Sequence, residues 1–199
     1  MTDRTRQNPE SGKRGRVVIL VAPSGAGKST MAKRLMAAFE DLRFSVSATT
    51  REPRDGEQDG VDYHFLSPEE FQRRIDRGAF LEWEEFYNGK RYGTLRSAVE
   101  AELEQGHSVL FDVEIYGAWN IKQAYGEEAL AIFIEPPSRK ELRKRLEKRG
   151  ADSDEMIETR MKRVDEELSW AGRFDLTVIN DDLETAWAEI RNAVENHLI

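Results

Sequence analysis

No part of this chain constrains its fold more than the stretch from Arg16 to Phe39. Arg16-Val-Val-Ile-Leu-Val21 is an unbroken β-branched and aliphatic run without polar alternation. Such a run predicts a strand buried on both faces, as in a parallel sheet covered by helices. From Lys28 onward, Met31, Leu35, Met36 and Phe39 fall at helical spacing. Between strand and helix lies Ala22-Pro-Ser-Gly-Ala-Gly-Lys-Ser29, which fits the Walker A spacing with Ala22 where the first glycine usually stands. Gly25 and Gly27 let the backbone curl so that successive N–H groups converge on phosphate oxygens. The helix N-terminus adds a partial positive charge. Lys28 supplies a full charge for the β- and γ-phosphates, and the Ser29 hydroxyl can hold Mg²⁺. Ala22, Pro23, Ser24, Gly25, Ala26, Gly27, Lys28, Ser29 and Thr30 therefore form the candidate nucleoside triphosphate loop. GTPases, ATPases and small-molecule kinases all carry such a loop, so it does not identify the phosphoryl acceptor.

The same strand–helix rhythm recurs. Ser108–Asp112, Leu130–Ile134 and Leu176–Ile179 are apolar runs, and Phe44–Ser47 is a shorter candidate strand. Leu95–Gln105 reads as a helix ended by Gly106. Ser138-Arg-Lys-Glu141 is a capping box opening a helix that stops at Gly150; Asp152-Ser-Asp-Glu155 offers a second box for a helix to about Trp170. A last helix covers roughly Leu183 to Asn196. The expected class is α/β: a P-loop NTPase-type, doubly wound, mainly parallel five-stranded sheet. The interval Arg51–Thr94 breaks the rhythm with short β segments (Tyr63–Leu66, Phe80–Trp83) and a Ser67-Pro-Glu-Glu70 helix start. It reads as an inserted α+β lobe.

At 199 residues the chain suits one domain with insertions. Residues 1–15 are polar and are expected to form a disordered leader. With 39% hydrophobic and 34% charged residues, the composition is that of a soluble globular protein. Zero cysteines exclude disulfides, thiolate metal sites and cysteine nucleophiles. No apolar window reaches the ~20 residues of a membrane span, and the basic N-terminus lacks the apolar core of a secretory signal. A cytoplasmic protein without membrane association is expected. The net charge of −8 argues against a general nucleic-acid binder.

Three further constellations carry chemistry. Thr49-Thr50-Arg51-Glu52-Pro53-Arg54 puts two arginines three residues apart, suited to a second dianionic phosphate or to a solvated loop. Glu82 is flanked by apolar residues, and Asp112 ends a strand where ligands of α/β sheets bind. Asp112 reads as a Mg²⁺ ligand and Glu82 as a surface charge; alternatively, both accept hydrogen bonds from a donor-rich edge such as guanine. From Arg139 to Arg149 seven basic residues stand against two acidic ones. That helix is either solvated or a lid whose arginines, joined by Arg160, close over a transferring phosphoryl group. His64, His107 and His197 are scattered without metal-ligand spacing.

In order and spacing these pieces resemble the guanylate kinase family, enzymes that phosphorylate GMP with ATP. The resemblance runs from about Arg16 onward. It rests on Pro23-Ser-Gly-Ala-Gly-Lys-Ser-Thr30, Ser45-Val-Ser-Ala-Thr-Thr-Arg-Glu-Pro-Arg54, Gly56-Glu57, Gly60-Val-Asp-Tyr-His-Phe65, Phe80-Leu-Glu-Trp83, Tyr92-Gly-Thr94, Arg145-Leu-Glu-Lys-Arg-Gly150 and Val178-Ile-Asn-Asp-Asp-Leu183. The resemblance implies that Arg51, Arg54, Tyr63 and Tyr92 bind the GMP phosphate. It implies that Ser47, Glu82, Thr94 and Asp112 read guanine, with Asp112 also near Mg²⁺. Lys28, Arg145, Arg149 and Arg160 would stabilise phosphoryl transfer, and Asn180 would border the adenine of ATP. Residues 16–46, 97–137 and 171–199 would be the P-loop core, 47–96 the GMP-binding lobe and 138–170 the lid. The partners implied are ATP, with Mg²⁺, and GMP. Rival readings are a catalytically weak module that binds phosphoproteins, or a related small kinase with another phosphorylated acceptor.

The chain departs from the family pattern near the acceptor side. Asp112-Val-Glu114 stands in place of the usual Asp-x-Asp, Tyr116 in place of Gln, and Arg91 in place of the first Tyr of Tyr-Tyr-Gly. The spacing from Glu82 to Tyr92 is one residue longer than usual.

Overall fold

A computed structural model describes residues 13–86, 89–149 and 154–199, with Arg149 and Asp154 by backbone alone. In chain order the elements are β1 (Val17–Val21), α1 (Lys28–Ala38), β2 (Leu42–Phe44), β3 (Ala48–Thr49), β4 (His64–Phe65), α2 (Pro68–Asp76), β5 (Phe80–Glu85) and β6 (Arg91–Leu95). There follow α3 (Arg96–Glu104), β7 (Ser108–Asp112), α4 (Ile115–Tyr125), β8 (Ala129–Glu135), α5 (Arg139–Arg149), α6 (Asp154–Ser169), β9 (Leu176–Ile179) and α7 (Leu183–Leu198). The larger sheet has the order β2-β7-β1-β8-β9, and every pairing in it is parallel.

The expected five-stranded α/β sheet is therefore present, with β1 at its centre. All five residues of β1 are buried. Val18 and Leu20 pack with Met31 and Leu35 of α1, Leu142 of α5, Met161 of α6 and Ile190 of α7. Val17, Ile19 and Val21 face the other way, onto Val99 and Leu103 of α3 and Ile115, Ala118 and Ile121 of α4. Alternate residues thus enter two cores on opposite faces, which is why the strand shows no polar alternation.

The caps follow local chemistry. Ser67 Oγ accepts from the Glu70 N–H at 3.1 Å, and Ser138 Oγ accepts from the Glu141 N–H at 3.1 Å. Asp182 Oδ1 accepts from the Thr185 N–H at 2.8 Å. The box expected at Asp152–Glu155 and the stop at Gly150 lie outside the described residues. Most of the expected leader does too, but Arg14 pairs with Glu100 at 2.5 Å and the Gly15 N–H donates to Leu103 O at 2.9 Å.

Two local expectations shift. The short strand expected at Phe44–Ser47 is Leu42–Phe44 instead; after the Ser45 N–H bonds Leu110 O at 2.9 Å, the chain leaves the sheet for β3. Helix α4 was not apparent from sequence, because Tyr116, Gly117, Trp119 and Asn120 are weak helix formers. Burial of Ile115, Ala118, Ile121 and Tyr125 on one face holds it.

The inserted segment forms a second sheet of order β4-β3-β6-β5, with α2 stacked on it. Its small core joins Ala48, Phe71, Phe80 and Leu95, with the Phe71 and Phe80 rings stacked at 4.4 Å. The β5–β6 register shifts between Phe80 and Glu82. Phe80 consequently stays in the small core while Leu81 enters the main one, and Glu82 pairs with Thr94. Through Leu81 the insertion shares the core on the α3–α4 face of the larger sheet. Among the described residues no helix is long and apolar enough to cross a membrane.

Candidate active site

The loop after β1 is shaped by two glycines with positive φ, Gly25 at 89° and Gly27 at 106°. Gly27 is constrained twice: a Cβ there would lie 2.4 Å from Asn180 Nδ2, which donates to Ala26 O at 2.7 Å. The first turn of α1 holds no acidic residue, so its N-terminus stays available to an anion. Lys28 Nζ lies 2.8 Å from Asp112 Oδ1 and 3.0 Å from Val113 O, joining the loop to the end of β7.

Two chambers meet at this pair. The larger, about 1030 Å³, is lined by Pro23, Ser24, Gly25, Gly27, Lys28, Ser29 and Thr30, by Glu155, Met156, Thr159, Arg160, Arg163 and Glu167 of α6, and by Glu84 and Phe86. The smaller, about 580 Å³, is lined by Ser47, Tyr63, Glu82, Trp83, Tyr92 and Gly93 of the insertion and by Tyr116, Gly117 and Asn120 of α4. Lys28, Asp112, Glu114, Glu84 and Phe86 border both.

Thr94 is buried and does not line the smaller chamber, but its Oγ1 donates to Oε1 of Glu82, which does, at 2.6 Å. Burial pushes the Glu82 carboxyl above its usual range, and the Thr94 hydroxyl opposes that shift. Tyr63 and Tyr92 stand edge to face with centroids 6.0 Å apart. Arg51 does not line the chamber. Its guanidinium grips Glu57 through both Nη atoms at 2.8 and 2.9 Å and lies 5.1 Å from the Tyr63 ring centroid. That hydrogen bonding, with the Arg54 N–H at 2.7 Å, draws the Glu57 carboxyl down to about 2. The Arg54 side chain is exposed.

The basic residues of α5 and α6 divide. Arg160 Nη1 donates to Ser24 Oγ, drawing α6 over the loop. Arg145 is not in the cleft lining; its Nη2 donates to Asn180 O at 3.1 Å. Asn180 is buried behind the loop, its amide used on Ala26, and likewise does not line either chamber. Arg149 is described by backbone alone. The basic charge of α5 is offset by α6, where Arg139 pairs with Asp165 and Arg143 with Glu158. Of the departing positions, Glu114 borders both chambers, and Tyr116 donates from its hydroxyl to Glu166. Arg91 turns to Glu85 at 2.7 Å and Gln72 at 2.8 Å, outside the lining.

Sequence reasoning overlooked Arg163, Glu167, Glu84, Phe86 and Asn120. Arg160, Arg163 and Glu167 share the i, i+3, i+7 spacing of one helix face, a signal present in the sequence. Glu167 is only 6% exposed, and desolvation, reinforced by Glu114, pushes its carboxyl up to about 7 against the pull of Arg163 and Lys28. A carboxyl raised by folding costs stability fully above its folded value. That cost is relieved as pH falls from about 7 toward the unfolded value near 4.5. Glu167→Gln should therefore raise the melting temperature at pH 8 and have little effect near pH 4.5. The gain should be at most about 3 kcal/mol, and thermal melts across that range check it.

The donor set suits a hard divalent cation. The Ser29 hydroxyl and Asp112 carboxylate border one chamber, and no cluster of three or more metal-ligating side chains occurs among the described residues. Such a pair leaves most coordination positions to phosphate oxygens and water, as Mg²⁺ prefers.

Comparison with known proteins agrees with this geometry. The family profile described as guanylate kinase matches residues 14–197. The guanylate kinase of Porphyromonas gingivalis is 52% identical over 180 residues, covering 90% of this chain and 96% of that protein. That of Salinibacter ruber is 50% identical over 182 residues, covering 92% and 96%. The crystal structure of guanylate kinase from Anaplasma phagocytophilum superposes with a TM-score of 0.69 at 32% identity, covering 94% of this chain and 88% of that one. A P-loop chamber and an insertion-lined chamber meet at Lys28 and Asp112, and the family profile spans almost the whole fold: the chain belongs to the guanylate kinase family.

Proposed function

We propose that this chain transfers the γ-phosphoryl group of Mg·ATP to GMP, and to dGMP, giving ADP and GDP or dGDP. The observation that carries this reading is the meeting of the two chambers at Lys28 and Asp112, which would let a triphosphate in one face a second phosphorylated ligand in the other. Residues 16–46, 97–137 and 171–199 are assigned to the P-loop core, 47–96 to the GMP-binding lobe and 138–170 to the lid. The cysteine-free composition suits a cytoplasmic setting.

The loop from Ala22 to Thr30 would cradle the triphosphate with its N–H groups, and Lys28 would neutralise the β- and γ-phosphates. Mg²⁺, held by Ser29 and Asp112, would offset charge on the phosphate oxygens when bound. Glu82, Asp112, Ser47 and Thr94 would read guanine, whose N1–H and N2–H₂ edge is rich in donors. Arg51, already oriented by Glu57 and the Tyr63 ring, would place its charge for the GMP phosphate alongside Arg54, Tyr63 and Tyr92. Arg160 would move from Ser24 to the transferring group. Arg145 and Arg149 would join it as α5 and α6 approach the loop, and Asn180 would act through the Ala26 carbonyl at the adenine side. Closure would exclude water, so that catalysis is positioning and charge neutralisation.

The test is ADP release with GMP, dGMP, AMP, IMP and ribose phosphates offered in turn. Turnover with GMP and dGMP far above the others is expected. Release with a different acceptor alone would reassign the substrate, and none with any acceptor would favour a phosphoprotein-binding module.

A further inference from the structure

Helix α4 carries a glycine in its first turn, Gly117, where the helix lies against β5. Its φ is not positive, so backbone freedom does not explain the choice. Glycine inside a helix costs about 1 kcal/mol relative to alanine. The surroundings supply a reason. A Cβ built at Gly117 would have three atoms of Glu82 as its nearest neighbours: Oε2 at 3.1 Å, Cγ at 3.2 Å and Cδ at 3.4 Å. Glu82 is tethered on the other side, because its Oε1 takes the Thr94 hydroxyl at 2.6 Å and its backbone is fixed opposite Thr94 just past the β5 bulge, so it can yield only into the acceptor chamber.

We infer that Gly117 is a specificity-determining position, whose missing side chain sets where the Glu82 carboxylate sits in the acceptor chamber. This rests on the reading of Glu82 as the guanine acceptor. A carboxylate that meets N1–H and N2–H₂ together must present both oxygens at hydrogen-bond distance in the plane of the base. A methyl group on Gly117 displaces that carboxylate by a few tenths of an ångström. The Thr94 bond then breaks or the carboxylate tilts. The penalty falls on the purine with both donors, and a base lacking the 2-amino group loses less. Gly117 acts through Glu82, as a positioning residue, and does not border the triphosphate chamber.

The experiment compares the wild type, Gly117→Ala and Glu82→Gln. For each it measures calorimetric binding of GMP and IMP, kcat/KM with both, KM for ATP and the melting temperature. Gly117→Ala should raise the GMP KM at least about 10-fold, cut the GMP-to-IMP preference at least about fivefold and leave the ATP KM within about twofold. Its melting temperature should stay within a few degrees of wild type, since the better helix propensity of alanine offsets the crowding at Glu82. An unaltered GMP KM overturns the inference. So do losses equal for GMP and IMP, or binding of both below detection, because those outcomes assign Gly117 to packing. Failure of the underlying reading looks different: Glu82→Gln would then leave the GMP-to-IMP preference intact, whatever Gly117→Ala does.

Discussion

Replacing Lys28 with methionine is expected to lower kcat at least about 100-fold, some 2.7 kcal/mol or more, while the protein stays folded. The Lys28 ammonium borders both chambers and has only 15% of its side chain exposed. Once closure excludes water, a fixed cation there would act on developing phosphate charge with little screening and no reorganisation. Methionine keeps the apolar stem and so most of the packing. It also leaves Asp112, 2.8 Å away, without its partner, so a fall of a few degrees in melting temperature is expected as well. Steady-state ADP release and a thermal melt of the same preparation check both effects. A kcat within tenfold of wild type would remove Lys28 from the phosphate-facing role.

The second large effect is expected at Glu82. Glu82→Gln preserves shape but turns one acceptor oxygen into a donor, which then faces the donors of guanine. A buried site built to accept hydrogen bonds loses about 10³-fold or more in kcat/KM when the pairing is reversed. The ATP KM should barely move, because Glu82 does not border the triphosphate chamber. The wild-type pH profile provides an independent check. Burial raises the Glu82 carboxyl, so it takes up a proton at a higher pH than an ordinary glutamate. Protonation removes an acceptor, so kcat/KM for GMP should fall on the acid side earlier than an unperturbed carboxyl would dictate. The glutamine variant should lack that limb. Equal GMP turnover by wild type and variant would end the guanine assignment.

Much of this protein is written locally. The Walker A loop lies between a strand and a helix that each announce themselves by periodicity, and Ser67, Ser138 and Asp182 cap helices within four residues of themselves. Helix α4 escaped notice because its stability comes from Ile115, Ala118 and Ile121 burying against β1 and β8 rather than from propensity. The two arginines at Arg51 and Arg54 were visible, but not that Glu57 would hold the first of them. Asn180 and Arg145 stood out as site candidates, yet the fold places them behind the phosphate loop, where one amide ties the Ala26 carbonyl and one guanidinium ties Asn180.

The sequence alone determined the phosphate loop and most of the individual strands and helices, because each depends on neighbours a few residues away. Only the tertiary structure decided that Lys28 would meet the end of β7, 85 residues on at Val113, and that Glu167 would be buried beside the loop. It alone placed Gly117 against Glu82. Those arrangements arise from sheet order and helix packing, which bring distant residues together at distances no local pattern encodes.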